Sequence, residues 1–482
     1  MVYYFSSMKS YSLFLAGQWV ETKNKIKIFS PYDKKHVSTV CLASEAHIEK
    51  ALFKASEAFT HMKKLSSYEK SHILSKIKNG LIQRKKDLAF SISEEMGKTL
   101  KESYLEVDRA SYTFEIAAEE CKKMEGAILP LDLLPSTRGR VGFSKRFPLG
   151  VIFCITPFNF PLNLAAHKIA PAFAVGNPVI LKPPLQCPSS SLIVAEIIDK
   201  VGLPEGAFSV IPCDNDMAQR AACDDRVKLI SFTGSAHVGW YLKSQAKKQK
   251  IVLELGGVAS LIVTEDADLK DVVGACINGA FSIAGQSCIS TQRLFIHKNH
   301  YEKFLKDFVN KVSKLKVGHP LQEDTDIGPL ISSDAATRVE SWVKEAKNNG
   351  ANIECGGKRQ DAFYWPTVLT GVKKTMKISC EEVFGPVCMV ESYDDYERVL
   401  TRINDTSYGL QAGLYSHDVK KIWRAYEKID VGGLIINDTP TWRIDNMPYG
   451  GIKDSGLGRE GIKYAMNEMT EPKLLVLKDP SI

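Results

Sequence analysis

The chain has 482 residues, of which 44% are hydrophobic and 25% charged, and a formal net charge of +7. It is too long for one ordinary core, so two or three domains are expected, and too evenly mixed for a disordered or low-complexity protein. Its densest basic stretch, KSQAKKQK (243–250), has no interleaved aromatics and reads as a solvated face, which argues against a nucleic-acid partner.

Eleven cysteines are scattered without a C-x-x-C pair or a Cys/His cluster, so no metal is expected. So many unpatterned thiols suit a reducing compartment. Near the N-terminus, MKSYSLFLAG (8–17) has the outline of a leader. Its apolar run is very short, however, and FLAGQWVE continues into a strand-and-turn pattern. No apolar stretch approaches membrane-spanning length, so a soluble cytoplasmic protein with no membrane partner is expected.

From residue 44 the apolar spacing is helical. Ile48, Leu52, Ala55, Phe59 and Met62 form one stripe, Ile73, Ile77 and Leu81 a second, and Tyr104, Val107, Phe114 and Ala118 a third. PSTRGRVGFSKRFPLG (135–150) breaks this period with prolines, glycines and alternation, and reads as a hairpin leaving the helical body. Short β-rich runs follow, VIFCITP, PVILKP, FSVIP and VKLISFTG, with helical segments such as SSSLIVAEIIDKVG between them. That alternation implies a parallel sheet in an α/β layer. A second α/β stretch is expected from VLELGG (252–257) onward, with SLIVTED, RLFIHK and VGGLIIND as strands. Phe304, Phe308, Val312 and Leu315 mark a helix between them. The tail EMTEPKLLVLKD (468–479) ends in a strand that must find a partner, and the 135–150 hairpin of this or another subunit is the candidate.

Several stretches carry chemistry. In LISFTGSAHVGWYL (229–242) a buried strand runs into Thr-Gly-Ser and a helix, with Gly234 and Gly239 at the turn, and amides at a helix N-terminus suit a pyrophosphate. The pattern departs from G-x-G-x-x-G, and an ordinary strand-to-helix turn is the competing reading. Lys182, in VILKPPLQCPSS, ends a strand within reach of a ribose or phosphate. Glu254, in an apolar strand before two glycines, is costly to bury without a purpose. It reads either as a ribose-binding acid about twenty residues past the glycine turn or as a general base. Asn159 stands between the prolines of CITPFNFPL (154–162), where its amide suits an oxyanion. In AGQSCIS (284–290), small residues around Cys288 admit a substrate to the sulfur, and a nearby helix N-terminus would favour its thiolate.

Taken together, TPFNFP, LKPP, FTGS, LELGG, GQSC, EEVFGP and MPYGGIKDSGLGRE occur in one order over some 300 residues. The whole chain, from FLAGQWVE to the terminal strand, resembles the aldehyde dehydrogenase superfamily. The resemblance implies an α/β fold with a Rossmann-type NAD(P)-binding domain (1–132 and 149–253), an α/β catalytic domain (254–467) and a small β bridging segment (133–148 and 468–482) that builds homodimers or homotetramers. It implies Cys288 as nucleophile, Asn159 as oxyanion donor and Glu254 as the base that activates water, deciding against the ribose reading. Thr156, Pro157, Lys182, Gly234, Ser235, Glu382 and Phe384 fall at cofactor-contacting positions. The implied cofactor is NAD or NADP. Leu185, where many NAD-preferring members carry glutamate, neither bonds a ribose hydroxyl nor repels a 2′-phosphate.

Arg109, His167 and Arg443 fall at positions lining the family's entry tunnel. His167 follows Asn159 by eight residues on an expected helix, PLNLAAHKIA, which would keep both near one face. Three basic groups there favour a small aldehyde bearing phosphate, phosphonate, carboxylate or hydroxyl, such as a lactaldehyde, phosphonoacetaldehyde, glyceraldehyde phosphate or semialdehyde. Ser287 weighs against phosphate, because some members acting on phosphorylated aldehydes carry arginine there. Val258 also departs from the asparagine or lysine frequent after LELGG. The rival readings are a cysteine acyltransferase or esterase without nicotinamide, and a non-catalytic scaffold. Cofactor binding would exclude the first, and Cys288, Glu254 and Asn159 together argue against the second.

Overall fold

The computed structural model describes residues 9–478. Residues 1–8 and 479–482, which include the first residue of MKSYSLFLAG and the last four of the expected bridging segment, lie outside the described residues. Two large sheets carry the architecture. The first has eight strands in the order Gly456–Leu457, Lys250–Glu254, Val227–Thr233, Val151–Ile155, Val179–Lys182, Phe208–Val210, Leu13–Leu15 and Gln18–Val20. Its five central strands are parallel. Their runs are buried on both faces, which is why they read as continuous apolar stretches. Alternation within one strand divides the core: Ile152 and Cys154 pack with helices Ser67–Gln83, Leu100–Glu120 and Asn163–Val175. Val151 and Phe153 pack with helix Glu45–Met62 on the other side.

FLAGQWVE forms the edge hairpin of this sheet, turning at Ala16 and Gly17 with φ of 53° and 84°. A left-handed pair is the turn that matches strand twist. The second sheet runs Asn352–Cys355, Thr367–Thr370, Val387–Tyr393, Thr291–His297, Ala259–Val263, Gln411–Tyr415 and Gly433–Ile436, parallel except for its first strand. Helices Leu269–Phe281, Lys298–Val312 and Ser333–Asn348 cover one face, and Tyr396–Asn404 with Val419–Lys428 cover the other.

Two expectations are corrected. The stretch VLELGG does not open the second sheet: Lys250–Glu254 pairs with Val227–Thr233, and the second sheet begins at Ala259. Residues 135–150 are not a hairpin. After a short turn at Pro135–Thr137 they form one strand, Arg140–Pro148, whose hairpin partner is Ala127–Pro130. That partner lies before the expected boundary at 133. The terminal strand Thr470–Lys478 closes this three-stranded sheet within its own chain, in register over nine residues. In addition, Gly456–Leu457 and the helix Ile462–Glu468, from the 254–467 stretch, return to the first sheet and its core.

No helix among the described residues is long and apolar enough to cross a membrane. No group of three or more His, Cys, Asp or Glu among them is placed to hold a metal ion.

Candidate active site

A cavity of about 630 Å³ opens between the carboxyl ends of the first sheet and the loops entering the second. Ligands in open α/β sheets bind at this end of the strands. Pro157, Asn159, Gly234, Ser235, Glu254, Cys288, Glu382, Phe384, Arg109 and Arg443 line it together. Thr156, Lys182 and His167 lie outside its lining.

Glycines explain how these loops meet. A Cβ on Gly257 would stand 2.5 Å from the carbonyl oxygen of Cys288, and one on Gly256 would stand 2.5 Å from Glu382 Oε2. The two glycines of LELGG therefore let the strand carrying Glu254 pass against both the cysteine loop and EEVFGP. The amide of Gly257 donates to Glu382 Oε1 at 3.1 Å.

The cysteine loop is strained. Ile283, Ala284 and Gly285 have φ of 55°, 52° and 68°, a left-handed run that costs free energy at the two non-glycine residues. Glu102 holds it by accepting from the Ile283 amide at 2.8 Å. One helical turn on, Glu106 accepts from the amides of Leu162 and Asn163 at 2.9 and 3.1 Å, capping the helix that follows the Asn159 turn. Lys98, fully buried, neutralises Glu106. A single helix, Leu100–Glu120, thus braces both halves of the site with two carboxylates that one-dimensional reading did not single out.

Asn159 is held at both ends of its amide. Its Oδ1 accepts from the Phe160 amide at 3.1 Å, and Nδ2 donates to the Gln286 carbonyl at 2.9 Å, two residues from Cys288. Cys288 stands between a short 3-10 turn and strand Thr291–His297, so the expected helix N-terminus beside it is absent. Burial pushes its thiol up to about 12, against a hydrogen bond from Tyr449 and the charge of Arg443. Glu254 is buried, and neither carboxylate oxygen has a partner among the described residues. Burial and the neighbouring Glu460 hold its carboxyl well above the usual range. A carboxyl held up in this way is a stronger base, once ionised, than an ordinary carboxylate. Glu460 goes the other way: Lys168, His167 and Arg443 outweigh burial and keep it ionised.

The cofactor end has matching features. Ser235, which lines the cavity, precedes helix Ala236–Gln245, while Gly239 sits inside that helix against Leu255 rather than at the turn. Thr156 follows strand Val151–Ile155 and Thr233 ends the adjacent parallel strand, and their buried hydroxyls have no partner among the described residues. Buried polar atoms are normally satisfied, so these fit the hydroxyls and phosphates of a dinucleotide. Lys182 is buried beside them and donates to Asn215 at 3.2 Å. Burial pushes Glu382 up to about 7. Phe384, at φ of 47°, meets Phe158 edge-on at 5.8 Å.

The basic cluster is only partly as expected. Helix Asn163–Val175 begins after Asn159, so the two do not share it. His167 is buried beneath the cavity, with Nε2 2.9 Å from Asp445 and Nδ1 3.2 Å from Glu460. It is a brace for acids, not a tunnel residue. Arg443 is buried in the cavity wall, 3.1 Å from Glu460, and stacks on the Tyr449 ring at 3.6 Å. Arg109 is 36% exposed at the mouth and spends one nitrogen on Asp445 at 3.1 Å. Arg338, Tyr449 and Glu460 also line the cavity; the last two lie within MPYGGIKDSGLGRE without having been singled out, and Arg338 lies in none of the motifs.

Residues 19–475 match the Aldehyde dehydrogenase family. A 3-sulfolactaldehyde dehydrogenase of Priestia aryabhattai is 41% identical over 98% of this chain and 99% of its own. Aldehyde dehydrogenase 21 from Physcomitrella patens, solved with the reaction product succinate, superposes with a TM-score of 0.97 at 42% identity, covering 98% of this chain and 99% of its own. Glyceraldehyde-3-phosphate dehydrogenase GapN from Methanocaldococcus jannaschii, solved with NADP, gives 0.90 at 36%, covering 95% and 100%. The chain belongs to the aldehyde dehydrogenase family and is an oxidoreductase that converts aldehydes to carboxylic acids with NAD or NADP.

Proposed function

We propose that this enzyme oxidises a small aldehyde carrying an anionic or hydroxyl group through a thioester on Cys288. One observation carries the reading: a half-buried thiol, a buried carboxylate without a partner and a rigidly held amide line the same cavity. Gly234, Ser235, Glu382 and Phe384, with Thr156, Pro157 and Lys182 around them, would hold NAD or NADP, which would supply the two-electron acceptor. On the protein side, Sγ bonds to the aldehyde carbon and the carbonyl electron pair moves to oxygen. The second Nδ2 hydrogen of Asn159 stabilises that oxyanion, a contribution of about 3 kcal/mol for one such donor. The oxidised adduct is a thioester. Water adds to it while Glu254 takes the water's proton, the C–S bond breaks, and the acid leaves.

Arg109 and Arg443 support an anionic substrate. Both line the cavity, Arg109 paired with Asp445 and Arg443 with Glu460, so an incoming sulfonate or carboxylate would meet two cations there. The sulfonated and hydroxylated substrate named for the Priestia relative and the succinate of the Physcomitrella complex agree with this chemistry. In a panel of aldehydes, sulfonated or carboxylated ones should exceed propanal in kcat/KM by about tenfold or more, the worth of one charged hydrogen bond. Arg109→Met should remove most of that advantage and leave propanal nearly unchanged. Equal turnover of propanal and the anionic aldehydes by the parent enzyme would refute the charge reading.

We also propose a homo-oligomer working in the cytoplasm. All eleven cysteines are free, in keeping with a reducing compartment. On the terminal strand, Leu474, Leu475, Val476 and Leu477 are all exposed, so both faces of that sheet are uncovered, and Ile128, Leu133 and Leu134 extend the apolar surface. An open apolar edge is a template for association. Sedimentation equilibrium should report a dimer or tetramer, and Leu475→Glu with Leu477→Glu should shift it to monomer. A parent chain that sediments as a monomer at micromolar concentration would defeat this reading.

A further inference from the structure

We infer that the hydroxyl of Tyr449 is a catalytic group of this enzyme: it sits 3.3 Å from Cys288 Sγ and donates a hydrogen bond to the thiolate, under a ring polarised by the stacked guanidinium of Arg443. The inference rests on Cys288 being the reacting thiol.

The problem it answers is physical. The half-buried sulfur, desolvated by its surroundings, is held toward the thiol form, and the thiol is a poor nucleophile. Along the chain it lies between a 3-10 turn and a strand rather than at a helix N-terminus. The groups that face it are Tyr449, Glu382, Arg443 and Glu254. Both carboxylates oppose a thiolate when ionised. Only Arg443 and Tyr449 favour one, and Tyr449 is the group with a hydrogen bond to the sulfur.

Tyr449 is built to be a donor. Burial and the adjacent sulfur keep its phenol neutral far above physiological pH, so the O–H proton stays in place. Its backbone is fixed by a reciprocal pair of hydrogen bonds with Glu460, at 3.1 and 2.7 Å, and its ring packs with Ile289 and Leu410. Arg443, 3.6 Å from the ring centroid, draws electron density toward the face and makes the hydroxyl a stronger donor. The Cys288 proton leaves to water in the cavity, and Tyr449 keeps its own throughout. When Sγ then bonds to the aldehyde carbon, the negative charge passes to the carbonyl oxygen and the phenol's hydrogen bond to sulfur weakens.

The test is the pH profile of Cys288 alkylation by iodoacetamide in the full-length enzyme, followed by mass spectrometry of the peptide bearing residue 288. Tyr449→Phe keeps the ring, its packing and the Arg443 stack. It should slow alkylation at neutral pH about tenfold and displace the midpoint upward. It should also lower kcat more than it raises KM. Cofactor affinity and thermal midpoint, measured alongside, report on the fold. Should that variant fail to fold, 3-fluorotyrosine placed at 449 retains hydroxyl and ring with a stronger donor, and should speed alkylation and lower the midpoint. An unchanged alkylation profile in either variant overturns the inference. If instead alkylation of Cys288 leaves turnover intact, the reading of Cys288 as the reacting thiol is what fails.

Discussion

Cys288→Ala is expected to lower aldehyde oxidation by at least about 10⁴-fold, the scale seen when a covalent nucleophile is removed. No other thiol can take over. Cys154 and Cys276 are fully buried, and burial holds both thiols high. Cys187, although near the Asn159 turn, is buried against Phe158 and Ile283 and donates to the Phe158 carbonyl. The variant should still bind NAD or NADP with near-parental affinity, because the residues proposed to hold it, Gly234, Ser235, Glu382 and Lys182, do not depend on the sulfur. Cofactor fluorescence titration beside steady-state kinetics checks both halves. Activity within tenfold of the parent would end the thioester scheme.

Glu254→Gln should separate the two half-reactions. In the proposed scheme, oxidation of the Cys288 adduct does not require the Glu254 carboxylate, whereas hydrolysis of the thioester does. Rapid mixing should therefore show one equivalent of reduced cofactor per site, then a steady rate lowered about 10²- to 10⁴-fold, the usual worth of a general base. The pH dependence adds a sign. Burial and Glu460 hold the Glu254 carboxyl above its ordinary range. The ionised form is the base, so parental deacylation should rise with pH through that elevated value. The glutamine variant should lose the rise. A steady rate equal to the parent's, or a variant that keeps the same pH slope, would show that another group activates the water.

Glu254 also shows what was legible in one dimension. An acid in an apolar strand before two glycines announced a purpose, because burying a carboxylate is costly. Local pattern left ribose binding and base catalysis open, and the family motifs were needed to choose. Its strand was misassigned to the second sheet for a physical reason: apolar β-runs carry no mark of which sheet they join. The same holds for Arg140–Pro148, whose alternation was visible but whose two partners, Ala127–Pro130 and Thr470–Lys478, were not.

The basic cluster shows the limit most clearly. Arg109, His167 and Arg443 were visible as charges near motif positions. Their acid partners Asp445 and Glu460 are up to 336 residues away along the chain. Without the pairing, three cations read as three free binding groups. With it, His167 becomes an internal brace and two arginines remain half-committed at the cavity.

By itself, then, the sequence determined the helical stripes and the apolar strands and, through seven motifs in one order, the class of chemistry, because periodicity and residue type are local quantities. Tertiary structure alone decided which sheet each strand enters, how one helix braces both loops through Glu102 and Glu106, and that Tyr449 touches a sulfur 161 residues away. Those contacts follow from strand order and loop approach over long separations, and local pattern does not encode them.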